Sequence, residues 1–170
     1  MLTEDEAMAL MRKYAPNDHL FRVITDHTKA VRKVAMRIAK RFPRADKNLV
    51  SIGALTHDIG RFKTRNAIEH GIIGAAIMRK EGHPELASVC ERHLGGGIPK
   101  DEVIRQNLPL PLKEYMPITI EEKIITAADN LVMGAKEITV AQAVDRYRRE
   151  FGDRVGSRVH ALFIELNQKE

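Results

Sequence analysis

The spacing of apolar residues restricts this chain to helical folds more than any other feature does. In the first segment they stand at i, i+3, i+4 and i+7, at Ala7, Leu10, Met11 and Tyr14. This is the spacing of one helix face, and it returns in later segments, whereas no segment alternates as a half-buried strand does. Three threonines are each followed three residues later by Glu or Gln, which predicts helix starts at Thr3, Thr119 and Thr139. The pattern predicts an all-α fold.

Length and composition set the class of protein. The 170 residues suit a single domain spanning residues 1–170. The one cysteine, Cys90, excludes an intrachain disulfide and fits a reducing compartment. The acidic N-terminus lacks a signal-peptide pattern, and the longest apolar run, residues 72–78, is too short to cross a bilayer. We therefore expect a cytoplasmic protein without a membrane partner.

Ligand-type side chains fall on the inward faces of several predicted helices. His27 shares a stripe with Val31 and Val34, and Asp129 lies among Ile125 and Ala128. The whole set is His27, His57, Asp58, His70, His93 and Asp129. A buried carboxylate is costly unless it is paired, hydrogen-bonded or bound to metal. A single inward histidine is more often a hydrogen-bonded core residue than a ligand. Four of them with two aspartates in one small domain are hard to satisfy without an ion.

Basic side chains form a row on the predicted second helix, at Lys29, Lys33, Arg37 and Lys40. The row lies on the side opposite His27, so it cannot line a pocket beneath that residue. A solvated face is one interpretation, and binding to nucleic acid or to an acidic surface is the other. The net charge of +5 suits anionic partners but is too small to decide between them.

The order of these ligand-type residues resembles that of a known family. The sequence His57, Asp58, Ile59, Gly60, preceded by His27 and followed by Asp129, is similar to the HDIG subset of the HD superfamily of metal-dependent phosphohydrolases. Small stand-alone archaeal HD proteins and bacterial HD-type dinucleoside tetraphosphate hydrolases share this outline. The resemblance implies a single-domain helical bundle of the HD-domain type. Its motif-bearing core would span about residues 20–135, and helices in 139–170 would pack on that core.

The resemblance also implies a metal site. His27, His57, Asp58 and Asp129 would bind the first metal, as in that family. His70 and His93 resemble the extra histidines of binuclear members, in which the acid of the His-Asp pair bridges two metals; Asp58 would be this bridge. Mixed imidazole and carboxylate ligands suit Mn, Fe, Co or Ni, with Mg as an alternative, so we expect two divalent transition metals.

The function implied is hydrolysis of a phosphoester or phosphoanhydride bond. Two metals would activate a water and polarise a phosphoryl oxygen. The substrate would be a nucleotide or another small phosphorylated compound, with Asp58 and Arg61 as catalytic residues. Arg61, Lys63 and Arg65 follow the motif and either hold substrate phosphates or form a solvated cluster; we favour Arg61 alone. The alternative function is a metal-stapled helical module that binds RNA or a protein without catalysis.

Two further expectations concern local structure. Gly60 is predicted to end the helix that carries His57. The segment from Gly95 to Pro117 contains three adjacent glycines and four prolines, so it admits only a short helix near residues 101–106. We expect it to lie over or beside the site and to be mobile.

Overall fold

The computed structural model describes residues 1–167 and is all-α, as the apolar spacing predicts. Its helices are α1 Glu4–Tyr14, α2 Asp18–Ala39, α3 Lys47–Thr56, α4 Glu69–Lys80, α5 Pro84–Arg92, α6 Lys100–Arg105, α7 Ile120–Asn130, α8 Val140–Phe151 and α9 Asp153–Glu165. Capping boxes at Thr3, Thr119 and Thr139 begin α1, α7 and α8, as expected. No helix in this part of the chain is long and apolar enough to cross a membrane.

Helix α3 lies at the centre of the molecule. Every residue from Val50 to Gly60 is buried. Ala54 belongs to a cluster built mainly by α2, α7, α8 and α9, whereas Leu55 belongs to a second cluster built by α1, α4 and α5. Because α3 is shared between both clusters, its C-terminal end delivers the next residues, His57 and Asp58, into the interior.

Gly60 has a different role from the predicted helix stop. Helix α3 already ends at Thr56, and a short 3₁₀ helix, Ile59–Phe62, follows. A Cβ atom added at Gly60 would lie 2.0 Å from the carbonyl oxygen of His70 and 2.7 Å from the backbone nitrogen of Gly74. The glycine is therefore needed because α4 approaches the backbone of this turn too closely for any side chain.

A two-stranded hairpin, β1 Val132–Met133 with β2 Lys136–Glu137, follows α7 and was not expected from the sequence. Its turn passes through Gly134, which has a φ of +63°. Strands of two residues are too short to show an alternating pattern. The hairpin lies beside α2 and brings the Gly134 carbonyl oxygen to His27.

The segment from Gly95 to Pro117 contains α6 and is attached to α9. The beginning and the end of the segment are joined by an isolated antiparallel β-bridge between Ile98 and Tyr115. Arg158 of α9 donates from Nε to the Gly97 carbonyl oxygen (3.2 Å) and forms an ion pair with buried Glu102 (Nη1 to Oε2, 2.7 Å). The short helix is confirmed, and the mobility of the segment stays a prediction.

Candidate metal centre

The six ligand-type residues selected from the sequence converge on one place, although they come from five segments. His27 is on α2, His57 and Asp58 follow α3, and Asp129 is near the end of α7. His70 is in the first turn of α4, and His93 directly follows α5. His57, Asp58, His70 and His93 are buried, whereas the side chains of His27 and Asp129 each keep 18% of their surface exposed. The centre is thus open to solvent on the side of His27 and Asp129.

One half of the centre is formed around Asp129. Its Oδ1 lies 3.0 Å from Nε2 of His27 and 3.5 Å from Nε2 of His57. Oδ2 of Asp58 lies 3.7 Å from Nε2 of His27 and 3.9 Å from Nε2 of His57. Two imidazole nitrogens and two carboxylates therefore face one another across this half.

The other half is formed around the second oxygen of Asp58. Oδ1 lies 3.0 Å from Nε2 of His70 and 3.5 Å from Nε2 of His93, and these two nitrogens are 3.0 Å apart. Two imidazole nitrogens that bind one ion at right angles, each about 2.1 Å from it, also lie about 3 Å apart. Asp58 stands between the halves and presents one oxygen to each.

Backbone carbonyl groups fix the orientation of three of the imidazole rings. In each ring, Nδ1–H donates to a backbone carbonyl oxygen. His27 donates to Gly134 (2.7 Å), His57 to Ala54 (2.8 Å) and His93 to Cys90 (2.8 Å). Because a carbonyl oxygen only accepts, Nδ1 carries a proton in each ring and Nε2 faces the centre. Metal-binding histidines are commonly oriented by such a hydrogen bond from their other nitrogen.

The residues present fit a divalent cation. Nε2 of His57 is completely buried and has no hydrogen-bond partner among the described residues, a state that costs free energy unless something binds there. Two groups of three residues each have their ligand atoms within 4.8 Å of one another. The first group is His27, His57 and Asp129, and the second is His57, Asp58 and His93. No cysteine contributes, so the donor set is the mixed imidazole and carboxylate type that suits first-row divalent metals.

The charges of the centre depend on one another. Burial opposes the charge of Asp58, but the nearby imidazoles of His57, His70 and His93 and the guanidinium of Arg61 outweigh it and keep its pKa well below the usual value. Burial also opposes the charge of Asp129, but His27 and His57 outweigh it and keep the pKa of that carboxylate well below the usual value. Both carboxylates are therefore ionised at neutral pH. Burial lowers the pKa of His93, which keeps that ring neutral.

His27 behaves differently from His93. Burial again favours its neutral form, but the hydrogen bond to Asp129 and the charges of Asp129 and Asp58 outweigh this and raise its pKa to about 9. Without metal, a proton therefore lies between His27 and Asp129, where a cation would compete for Nε2.

We expect the affinity for a divalent metal to rise as the pH increases from 7 towards 9. The proton on His27 is bound below its pKa of about 9 and must leave when Nε2 binds metal, so raising the pH removes the competitor. Each pH unit can change affinity by up to about tenfold. Calorimetry with Mg²⁺ at several pH values, in buffers of different ionisation enthalpy, measures the affinity and the protons released. A His27→Gln variant should lose this dependence, and a wild-type affinity that is flat from pH 7 to 8.5 would contradict the expectation.

A cleft of about 330 Å³ opens over the exposed side of the centre, with His27 and Asp129 in its wall. Arg61 also lines it and donates from Nε to Oδ2 of Asp58 (2.7 Å), whereas Lys63 and Arg65 do not line it. The segment from Gly95 to Pro117 contributes the residues Gly97, Ile98 and Leu108, among others. The expected position of that segment beside the site is thus confirmed.

One part of the cleft lining was missed by the sequence analysis. Helices α8 and α9 contribute Arg146, Tyr147, Glu150, Phe151, Val155 and Arg158. These helices were assigned only to packing, and residues such as Val144 and Val159 do pack in the core. The available signal was the aromatic pair Tyr147 and Phe151, which stand at i and i+4 while the core positions precede them.

Comparison with known proteins identifies the family of this arrangement. The protein-family model for the HD domain matches residues 24–134, which include all six ligand-type residues. A Methanocaldococcus jannaschii protein described only as uncharacterised is 42% identical over 151 residues, covering 85% of this chain and 88% of the relative.

Two further relatives bear the name tRNA (cytidine(56)-2'-O)-methyltransferase. The protein from Thermoplasma volcanium is 40% identical and that from Picrophilus torridus is 41% identical, over 94% and 96% of this chain. The chain spans about half the length of these relatives, since the matches cover 45% and 46% of them.

Solved structures with this fold include the HD domain of the L. monocytogenes phosphodiesterase PgpH. That structure has a TM-score of 0.54 at 18% identity and covers 95% of this chain and 97% of that one. Its complex with cyclic-di-AMP has a TM-score of 0.56 at 17% identity and covers 98% and 99%. At such identity the likeness concerns the fold.

Proposed function

The chain belongs to the HD-domain family, and from this premise we propose that it is a metal-dependent phosphohydrolase acting on a small phosphorylated substrate. The observation that carries the proposal is the set of imidazole Nε2 atoms and carboxylate oxygens facing one another at the wall of a cleft. His27, His57, Asp58 and Asp129 would bind one metal, and Asp58 with His70 and His93 a second. The metals would be Mn, Fe, Co or Ni, or Mg.

The side chains of the centre have distinct tasks in this proposal. Bound divalent metal supplies Lewis acidity and an activated water for attack on phosphorus. Asp58 stays ionised because three imidazoles and Arg61 surround it, so it contributes the negative charge on which cation binding depends. Arg61 lies in the cleft wall with 40% of its side chain exposed and can move its guanidinium from Asp58 to a phosphate oxygen.

The test is a metal analysis followed by measurement of phosphate release. Purified protein is depleted with a chelator, reloaded separately with Mn²⁺, Co²⁺, Ni²⁺ and Mg²⁺, and incubated with nucleotides, sugar phosphates and dinucleotides. We expect hydrolysis that needs metal and disappears on chelation, detected as free phosphate from phosphate monoesters or as mononucleotides from dinucleotides. Absence of both products with every substrate and every metal would reject the proposal.

A second candidate function is binding to RNA. Relatives that share 40% and 41% identity with almost the whole chain are named as tRNA methyltransferases. Lys29, Lys33 and Lys40 are exposed on α2, although Arg37 of the same row forms an ion pair with Glu137. If RNA binds here, its affinity should fall steeply with salt and weaken in a variant with these three lysines changed to alanine. The metal centre would then only stabilise the helices.

We expect the centre to bind two metals per chain. Asp58, His70 and His93 give the second metal only three protein ligands, so its affinity should be the lower of the two. Elemental analysis under metal-replete conditions should find two ions in the wild type and one in a His70→Ala, His93→Ala double variant, together with reduced activity. One ion and equal activity in both proteins would contradict the binuclear arrangement.

A further inference from the structure

The cleft at the metal centre is also lined by hydrophobic side chains that are exposed to solvent. Phe151, at the end of α8, has 45% of its surface exposed, and Met133, in the hairpin, has 57% exposed. A single exposed hydrophobic residue is normal on a protein surface. Two of them lining the same cleft, beside charged groups, are typical of a ligand site in which apolar surface is buried on binding.

Aromatic and cationic groups are combined on α8. The rings of Phe151 and Tyr147 have centroids 5.7 Å apart and planes inclined by 31°. The guanidinium of Arg146 lies over the Tyr147 ring, 4.7 Å from its centroid. Planar side chains of this kind, Arg included, are the groups on which nucleic-acid bases stack.

Arg146 differs from the other arginines of the cleft. Arg61 is paired with Asp58 and Arg158 with Glu102. Arg146 forms no ion pair with a carboxylate within residues 1–167, although Glu150, four residues later on α8, lines the same cleft. Burial raises the pKa of Tyr147, which keeps its phenol uncharged at neutral pH. The α8 wall therefore offers a positive charge together with aromatic surface, a combination suited to an anion that carries a flat apolar group.

The size of the cleft limits that anion. Its volume of about 330 Å³ is at the lower end of the range of about 300–1,000 Å³ for small-molecule sites. It suits one nucleoside with its phosphate rather than two nucleosides joined by phosphates. The lining includes His27 and Asp129 of the metal centre and, from α8, Tyr147 and Phe151, so one cleft offers groups for a phosphate and groups for a base.

We propose that α8 and the hairpin form a nucleobase site, in which Phe151, Met133 and Arg146 hold the base of a single nucleotide unit whose phosphate lies at the metal centre. The inference rests on the proposed phosphohydrolase function and specifies its substrate class. It also gives α8, which lies beyond the matched residues 24–134, a part in substrate choice together with Met133 of the hairpin. The unit is a free nucleoside monophosphate or the phosphorylated end of an RNA strand.

The test compares ligands that differ only in the base. Isothermal titration calorimetry on metal-loaded protein measures the dissociation constants of AMP, adenosine and ribose 5-phosphate, the two phosphates being used as their methylene phosphonate analogues, which have no phosphoester bond to hydrolyse. We expect AMP to bind at least about fivefold more tightly than ribose 5-phosphate, because stacking of a base on aromatic groups contributes that much or more. Phe151→Ala should weaken AMP and adenosine by a similar factor and leave ribose 5-phosphate unchanged. Ile164→Ala, which removes a side chain with 62% exposure on α9 outside the cleft, is the matched control and should change none of them.

Equal affinities for AMP and ribose 5-phosphate in the wild type would overturn the inference, as would a Phe151→Ala variant that binds AMP as the wild type does. Neither result decides whether the protein is a phosphohydrolase. Phosphate release from ribose 5-phosphate by metal-loaded protein tests that activity separately. A base preference without any phosphate release would retain the base site and reject the hydrolase. A 5'-phosphorylated trinucleotide distinguishes the two sources of the unit: tighter binding than AMP identifies an RNA end, and weaker binding identifies the free nucleotide.

Discussion

Replacement of Asp58 by asparagine should lower metal-dependent phosphate release by at least about 10³-fold. A metal supplies several kcal/mol of transition-state stabilisation, and each 1.36 kcal/mol corresponds to a factor of ten in rate. Asp58 directs one oxygen to each half of the centre, so its neutral amide would weaken both proposed metal positions together. Phosphate release measured at saturating metal, alongside metal content, checks this expectation.

Stability measurements separate loss of the centre from loss of the fold. Wild-type protein at a metal concentration 100 times its dissociation constant should gain about 2.7 kcal/mol in free energy of unfolding. Asp58→Asn should lose this gain but keep the helical circular dichroism of the metal-free wild type. The control is Asp5→Asn, which removes an exposed carboxylate in the first turn of α1. This variant should keep both the activity and the increase in stability on metal binding. Full activity in the Asp58 variant would exclude the proposed role.

Replacement of Gly60 by alanine should lower the free energy of unfolding by about 3 kcal/mol or more. The new methyl group would lie 2.0 Å from the His70 carbonyl oxygen, and backbone atoms of a packed helix cannot yield as a side-chain end can. Overpacking of this kind typically costs 1–3 kcal/mol, and this contact is at the severe end. Because α4 must retreat to relieve it, His70 moves as well, and metal affinity should fall. Urea unfolding of the metal-free protein measures the first effect and metal titration the second.

Gly53→Ala is the matched control for that substitution. Its added methyl group would meet the Cδ1 end of Ile125 at 2.7 Å, and a side-chain end can move aside. Alanine is also favoured over glycine inside a helix by about 1 kcal/mol, so little net loss is expected. Equal stability of the Gly60 and Gly53 variants would show that the turn and α4 can separate without cost.

The sequence predicts most of the helices and the inward direction of the ligand-type residues, because both depend on local periodicity. His27 and Asp129 could be assigned to inner faces from the apolar residues three and four positions away. Their mutual distance of 3.0 Å could not be derived in this way, since 102 positions separate them and helix packing decides the contact. The resemblance to the HD superfamily supplied the expectation that they meet.

Other parts of the site depend on contacts that leave no local pattern. The role of Gly60 follows from the approach of α4, and a glycine that follows a helix reads as a stop signal in sequence. The cleft wall formed by Phe151 and Met133 depends on where α8 and the hairpin pack relative to α2. Each of these residues alone is an ordinary exposed hydrophobic side chain, so only the tertiary structure shows that they share a cleft.

The hydrogen bond from His27 to the Gly134 carbonyl oxygen joins positions 107 residues apart and sets an order for biosynthesis. During translation, α2 leaves the ribosome long before α7 and the hairpin, so His27 stays without its orienting acceptor until more than 130 residues have been made. Contacts of such high sequence separation form late in folding, because a long loop must close first. Capture of a metal by the complete centre therefore comes after assembly of the helices around it. A chain arrested before Asp129 would carry all four histidines of the centre and yet lack a finished centre, so metal uptake during synthesis would report when this part of the protein has folded.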